Sequence, residues 1–385
     1  MRTSTLSDQT VRDLIQAETQ RLGFPLFGVA PLAPPPHLDT YHQWIQAGRH
    51  ASMAYLATER AVQRRAQPQL IHPEAAALLV VALPYWNPLA APDGPVGEAL
   101  GRVAAYAWGD DYHDLIPPRL AELLTILEKQ LGRSILARSY TDTGPILERD
   151  FAQQAGLGWS GKNTCFISPR HGSYFLLGET LLDVPLEPDP PFRSDQCGTC
   201  RRCIEACPTV CIRPDRTIDS GRCISYLTIE NKGSIPADLR PQIGEWVFGC
   251  DICQMVCPWN LRFAHASGDP AMAPRPDLPR PVLRKELRLT PQEFNRKFRG
   301  SPVQRARRRG YLRNVAVALG NQPDPAAIPD LANSLANEPE PLVRAHVAWA
   351  LGRMRQRRAR QALEQSLPRE SDPNTLQEII QALSL

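Results

Sequence analysis

Apolar positions in the first half of this chain switch repeatedly between helical spacing and continuous strand-like runs, whereas the last third keeps helical spacing alone. Val11 to Leu22 reads as an amphipathic helix stopped by Gly23. Leu78-Leu-Val-Val-Ala-Leu83 reads as a buried strand. Pro117 and Pro118 are expected to open a second helix, with Leu120, Leu123, Leu124, Leu127 and Leu131 on its apolar face. A hairpin is expected next, pairing Cys165-Phe-Ile167 with Tyr174-Phe-Leu-Leu177 and turning through Arg170-His-Gly172. These elements make an α/β domain over residues 1–188. A second unit at 189–265 and a helical one at 266–385 follow.

Composition agrees with several folded domains. A chain of 385 residues exceeds the usual reach of one hydrophobic core, and 43% apolar with 22% charged residues is ordinary for a globular protein. The 38 prolines favour turns and stiff connections over long helices. The N-terminus, MRTSTLSDQT, has no apolar core of the kind a signal peptide needs, and the run Ala75 to Pro84 is far too short to span a bilayer, so a cytoplasmic protein is expected. In a reducing compartment, ten cysteines point to metal binding rather than disulfides.

Their spacing narrows the chemistry. Cys197-x2-Cys200-x2-Cys203-x3-Cys207-Pro208 is the ferredoxin run, in which three thiolates of one tight loop hold three corners of a cubane and the fourth ligates the neighbouring cluster. Cys250-x2-Cys253-x3-Cys257-Pro258 repeats the pattern without its leading cysteine, and Cys223 or Cys211 could complete the set. Exchange between the runs puts Cys197, Cys200, Cys203 and Cys257 on one 4Fe-4S cluster and Cys207, Cys250 and Cys253 on the other. Cys223 is chosen as the remaining ligand, because Cys211 follows Cys207 closely in an apolar Thr-Val-Cys-Ile segment where a small buried side chain is equally natural. Zinc, the alternative, has no use for triply spaced thiolates followed by proline. Isolated Cys165 reads as packing.

Beyond a proline-rich connector from Pro270 to Pro281, Pro341-Leu-Val-Arg-Ala-His-Val-Ala-Trp-Ala-Leu-Gly352 resembles the second helix of a HEAT repeat, and Tyr311 to Gly320 echoes it. Between Pro279 and Arg313 there are 12 Lys or Arg against Glu286 and Glu293, a local charge of +10. Such a stretch can neutralise phosphates. Arg305, Arg307, Arg308, Arg309 and Arg313 are its candidate RNA contacts.

Four segments carry a more specific resemblance: Trp108-Gly-Asp-Asp-Tyr-His113, Asp142-Thr-Gly-Pro-Ile-Leu-Glu-Arg149, Ala155-Gly-Leu-Gly-Trp-Ser-Gly-Lys-Asn163 and Arg222-Cys-Ile-Ser-Tyr-Leu-Thr-Ile-Glu230. With both cysteine runs and Leu312 to Asn321, in the same order along the chain, they are similar to the epoxyqueuosine reductase family. The resemblance implies a cobalamin-binding α/β catalytic domain like that of reductive dehalogenases, a ferredoxin-like two-cluster domain and a C-terminal HEAT-like domain for tRNA. It also implies base-off cobalamin held without a histidine on cobalt, and no Asp-x-His-x-x-Gly motif that would supply one is present.

The implied reaction reduces epoxyqueuosine to queuosine at the tRNA wobble position. Low-potential clusters would deliver single electrons from an external flavodoxin or ferredoxin type donor, and a Co(I) nucleophile would open the epoxide, a route without a cobalt–carbon bond being the alternative. By family position Asp142 is the proton donor; read from its neighbours alone, it is a helix N-cap before Thr143-Gly-Pro145. Tyr112, His113, Arg149 and Lys162 are candidates for the cobalamin pocket. A monomer with no membrane partner is expected. The competing readings are a reductive dehalogenase, for which a basic helical end has no purpose, and an electron carrier, for which the large first domain is superfluous.

Overall fold

The apolar run at 78–83 lies within a strand, Ala77–Pro84, whose first seven residues are all buried. It sits inside a four-stranded sheet ordered Leu26–Ala30, Ala77–Pro84, Phe175–Leu182, Ala137–Tyr140. The computed structural model that shows this describes residues 8–87, 97–265 and 268–384. Residues 1–7, part of the N-terminus expected to lack an export signal, and residue 266, at the expected boundary of the third unit, lie outside them. All pairings in the sheet are antiparallel, with Val80 opposite Glu179 and Glu179 opposite Tyr140. The two inner strands are largely apolar because both faces are covered, Glu179 and Thr180 being the polar exceptions. The helices Asp8–Arg21 and Tyr112–Leu131 pack on one face, and Glu148–Gln154 on the other. Gly178 lets the long helix lie close, since a Cβ there would stand 2.7 Å from Ile116.

Two sequence expectations are corrected here. The second helix starts at Tyr112, five residues before Pro117, because the Asp111 carboxylate accepts the His113 N–H at 3.0 Å and caps it; both prolines lie inside the helix. The expected hairpin does not form. Its turn exists, with Ser168 and Gly172 exchanging backbone hydrogen bonds, but the flanking runs diverge. Phe166–Ile167 pairs with Trp159–Ser160, while Phe175–Leu182 is drawn between two other strands that cover its edges.

The cysteine-rich segment folds as short helices, Arg202–Ala206, Ile224–Ile229, Arg240–Ile243, Ile252–Met255 and Pro258–Phe263. Its strand Trp246–Phe248 runs parallel to Arg102–Val103 of the first domain. The C-terminal helices Arg307–Asn321, Pro341–Met354 and Pro373–Leu383 stack in series, with Ile328–Asn337 and Arg357–Ser366 between them in the chain. Their shared core runs from Leu312 through Val347 to Ile379. Buried Asn314 joins this stack to the cysteine-rich unit, donating to the carbonyls of Thr228 and Val247, each at 2.8 Å. Among the described residues, no helix is long and apolar enough to cross a membrane.

Candidate active site and cluster cradle

A cavity of about 670 Å³ opens between the first domain and the cysteine-rich segment, within the size range of ligand pockets. Tyr41 and Trp44 line it from the helix Leu38–Gln46, with the Arg65 guanidinium 5.7 Å from the centre of the Tyr41 ring. Trp44 donates its indole N–H to the Ile218 carbonyl at 2.7 Å, so the cysteine-rich segment closes that wall. Arg149, Asp150 and Arg216 line other sides. His37 meets the Asp150 carboxylate at 2.8 Å, and this contact holds its imidazole pKa above the usual value.

Asp142 also lines the cavity, on the loop between the edge strand Ala137–Tyr140 and the helix Glu148–Gln154. It does not cap that helix, whose N-cap is Leu147. Asp142 has φ +60°, and the Thr143 N–H reaches across it to the Thr141 carbonyl at 2.6 Å, forming a γ-turn of the strained, positive-φ kind. Three contacts hold this turn. Tyr112 donates its hydroxyl to Asp142 Oδ2 at 2.8 Å, Glu148 Oε1 accepts the Asp142 N–H at 2.5 Å, and Thr141 donates its hydroxyl to the Leu177 carbonyl at 2.7 Å. Burial, and then the charge of Asp142, push the Tyr112 phenol far above its ordinary pKa, so it remains a donor.

The second feature is the cradle of thiols. Cys197, Cys200, Cys203 and Cys257 together line a separate cavity of about 220 Å³, the foursome expected from exchange between the two runs. Trp159 donates its indole N–H to Cys197 Sγ at 3.5 Å, and Trp259 donates to the Gln196 carbonyl at 3.3 Å. On the other side, Cys207 Sγ is 3.4 Å from Cys211 Sγ, and Cys211 also contacts the Cys223 thiol. Both candidates for the last ligand position therefore lie together. Cys165 touches Cys253, so it packs directly against this second set.

Two short segments, 159–165 and 193–197, each line both the cavity and the first thiol set. Trp159, Ser160 and Thr164 face the cavity, while Lys162 and Asn163 face the first thiol set. This places Lys162 away from the large pocket expected for it. Its ammonium group donates to the carbonyls of Gly198 and Cys200 at 2.6 and 2.9 Å, pinning the first cysteine loop. Arg149 lines the large cavity and donates to the Thr164 carbonyl. His113 is not a lining residue; it meets Asp111 at 2.8 Å and lies against the Tyr112 ring. Tyr112 reaches the site through Asp142.

The basic stretch divides. Arg313 is fully buried and donates to the carbonyls of Leu227, Asn231 and Gly233, which removes it from the RNA-contact candidates. Arg308 is 17% exposed and held bidentately by Glu338, so it is likewise structural. Arg305 pairs with Glu230, whereas Arg307 and Arg309 are exposed and, among the described residues, have no acidic partner within salt-bridge distance. Sequence reasoning missed Glu148 and Glu179. The second left a signal: an acid in the middle of the apolar strand Phe-Leu-Leu-Gly-Glu-Thr-Leu-Leu.

Fold and site together define a redox protein in which a large pocket adjoins a 4Fe-4S double cluster binding domain, the description of the family that residues 196–260 match. Residues 65–143 match the family described as epoxyqueuosine reductase QueG, DUF1730, and 306–384 match HEAT repeats. The chain belongs to the epoxyqueuosine reductase family. It is 39% identical over 339 residues to the epoxyqueuosine reductase of Pseudomonas aeruginosa, covering 87% of this chain and 92% of that one. With the Escherichia coli enzyme it shares 38% over 328 residues, 85% of each chain. Among solved structures, an epoxyqueuosine reductase with an epoxyqueuosine-modified tRNA stem loop superposes with a TM-score of 0.91 at 30% identity, covering 98% of this chain and 99% of the other. The Bacillus subtilis enzyme, solved with its catalytic aspartate loop swung out of the active site, gives 0.90 at 29% identity with the same coverage.

Proposed function

We propose that this chain reduces the epoxide of epoxyqueuosine in the anticodon of tRNA to the cyclopentene of queuosine, using two 4Fe-4S clusters, base-off cobalamin and an external flavodoxin or ferredoxin type reductant. The observation that carries the reading is that the large cavity and the first thiol set share two walls, the segments 159–165 and 193–197, each of which lines both, so the path for electrons is short. The reaction takes two electrons and two protons, breaks both carbon–oxygen bonds of the epoxide, forms one carbon–carbon double bond and releases water.

The open cavity suits cobalamin by its aromatic pair Tyr41 and Trp44 and by the arginines Arg65, Arg149 and Arg216 that can meet amide and phosphate side arms. These residues would hold the macrocycle. When bound, cobalamin supplies a strongly reducing cobalt centre. The protein's own part is proton delivery. Tyr112 fixes the Asp142 carboxyl through Oδ2, and Asp142 gives one proton to the departing oxygen. Cys207, Cys223, Cys250 and Cys253 hold the second cluster, with Cys211 behind them. Arg307 and Arg309 meet tRNA phosphates, and the chain works as a cytoplasmic monomer.

The test is Asp142→Asn. It should keep both clusters and cobalamin binding yet lose turnover by about two orders of magnitude, the usual scale for general-acid catalysis. Full turnover in this variant would remove Asp142 as donor.

A further inference from the structure

Glu179 is completely buried on the central strand, and no donor among the described residues reaches either of its carboxyl oxygens. It shares a face with Leu177 and Leu181, under the helix Glu148–Gln154. Among the described residues, the polar side chain it meets is the carboxyl of Glu148. Two ionised carboxylates have no hydrogen between them, and a second charge on fully buried Glu179 beside the Glu148 carboxylate is costly. With one proton the contact becomes a short acid–carboxylate hydrogen bond. Glu148 Oε1, in turn, is the acceptor for the Asp142 N–H at 2.5 Å.

We infer that Glu179, kept as the neutral acid, donates to Glu148 and so holds it as the carboxylate that locks the strained Asp142 turn into the active site. The pair positions the donor and does not itself touch substrate, and this rests on the reading of Asp142 given above. The turn needs such a hold, because a non-glycine residue at φ +60° is disfavoured and relaxes once its contacts are cut.

The surrounding charges agree. Glu179 is pushed well above the ordinary carboxylate range by burial first and by the charge of Glu148 next. Burial, followed by the nearby Asp142, pushes Glu148 up to about 7, and the cation of Arg149 opposes this. Tyr140 is the cross-strand neighbour of Glu179, and Asp150 on the same helix as Glu148 is turned to His37. Glu179 therefore keeps its proton while Glu148 ionises, and the charge-assisted hold on Asp142 strengthens as pH rises through about 7.

The experiment compares Glu179→Ala, Glu179→Gln and Glu148→Ala in the complete protein, reading hydrogen exchange at the Asp142 amide and steady-state turnover on epoxyqueuosine tRNA. Loss of the hold should speed exchange at Asp142 about tenfold in both alanine variants and lower kcat by a similar factor with little change in KM for tRNA. Glu179→Gln, whose amide can donate to Glu148 in the same way, should restore both quantities to within about threefold of the parent. A glutamine variant as impaired as the alanine one, or an Asp142 amide indifferent to Glu148→Ala, overturns the inference. Should Glu179→Ala fail to fold, exchange in Glu148→Ala decides. Altered exchange in a protein whose parent shows no turnover would instead overturn the functional reading and leave the lock standing.

Discussion

The Tyr112 hydroxyl donates to Asp142 Oδ2 across 2.8 Å, joining the buried first residue of a helix to an exposed, strained loop. Because the phenol is itself held by ring contacts with Tyr106 and His113, its position is set before substrate arrives. Tyr112→Phe should therefore lower kcat about tenfold, the kinetic equivalent of one lost hydrogen bond, with unchanged iron content. Equal turnover in the two proteins would show that Asp142 is oriented without it.

Arg313 and Arg309 lie four residues apart on one helix and should respond in opposite ways. Arg313 is buried against three carbonyls that its loss would leave unsatisfied, so Arg313→Ala should destabilise the fold by about 3 kcal/mol or more. Arg309→Ala should leave the unfolding transition in place, weaken tRNA binding and reduce the salt slope of log K by about one. Denaturant melts and binding titrations at several salt concentrations separate the two; a common response would contradict the division.

Lys162 tethers the first cysteine loop from outside it, its ammonium group donating to the carbonyls of Gly198 and Cys200. Both acceptors lie between or on the thiols that open the ferredoxin run, so the tether fixes the backbone on which those ligands sit. Removing it in Lys162→Ala should loosen the first cluster. Iron released on exposure to air, measured against the parent, checks this; identical iron retention would make Lys162 dispensable to the cradle.

His346 gives a dependence on pH. It is fully buried between the helical stack and the cysteine-rich unit, accepting the Ile235 N–H at Nε2 (3.1 Å) and meeting the Leu342 carbonyl through Nδ1 (2.8 Å). Burial first, and the cations Arg240 and Arg313 next, hold its pKa well below the usual 6.5. A histidine depressed on folding contributes stability that is present above its unfolded pKa and lost as pH falls below it. Thermal stability should thus decline as pH drops from about 7 toward 5, and His346→Gln should flatten that slope. A slope unaltered by the substitution would assign the acid sensitivity elsewhere.

Much of this was legible in the chain. The spacing of the cysteines carried both clusters, and the foursome of Cys197, Cys200, Cys203 and Cys257 around one cavity follows from it. Local apolar spacing likewise located the strand at 77–84 and the two long C-terminal helices. What depends on distant partners was not legible. The strand at 175–182 left its expected hairpin for a place between two others, and the basic stretch could not reveal which arginines are consumed by Glu230, Glu338 or buried carbonyls. Glu148 and Glu179 are 31 positions apart, and only the packing of helix on sheet brings them together.

The most direct measurement of the central claim is nucleoside analysis of tRNA from cells lacking this gene. The account expects epoxyqueuosine to accumulate, and to be replaced by queuosine when the gene is restored but not when Asp142→Asn is supplied. Normal queuosine in the deleted cells would contradict it.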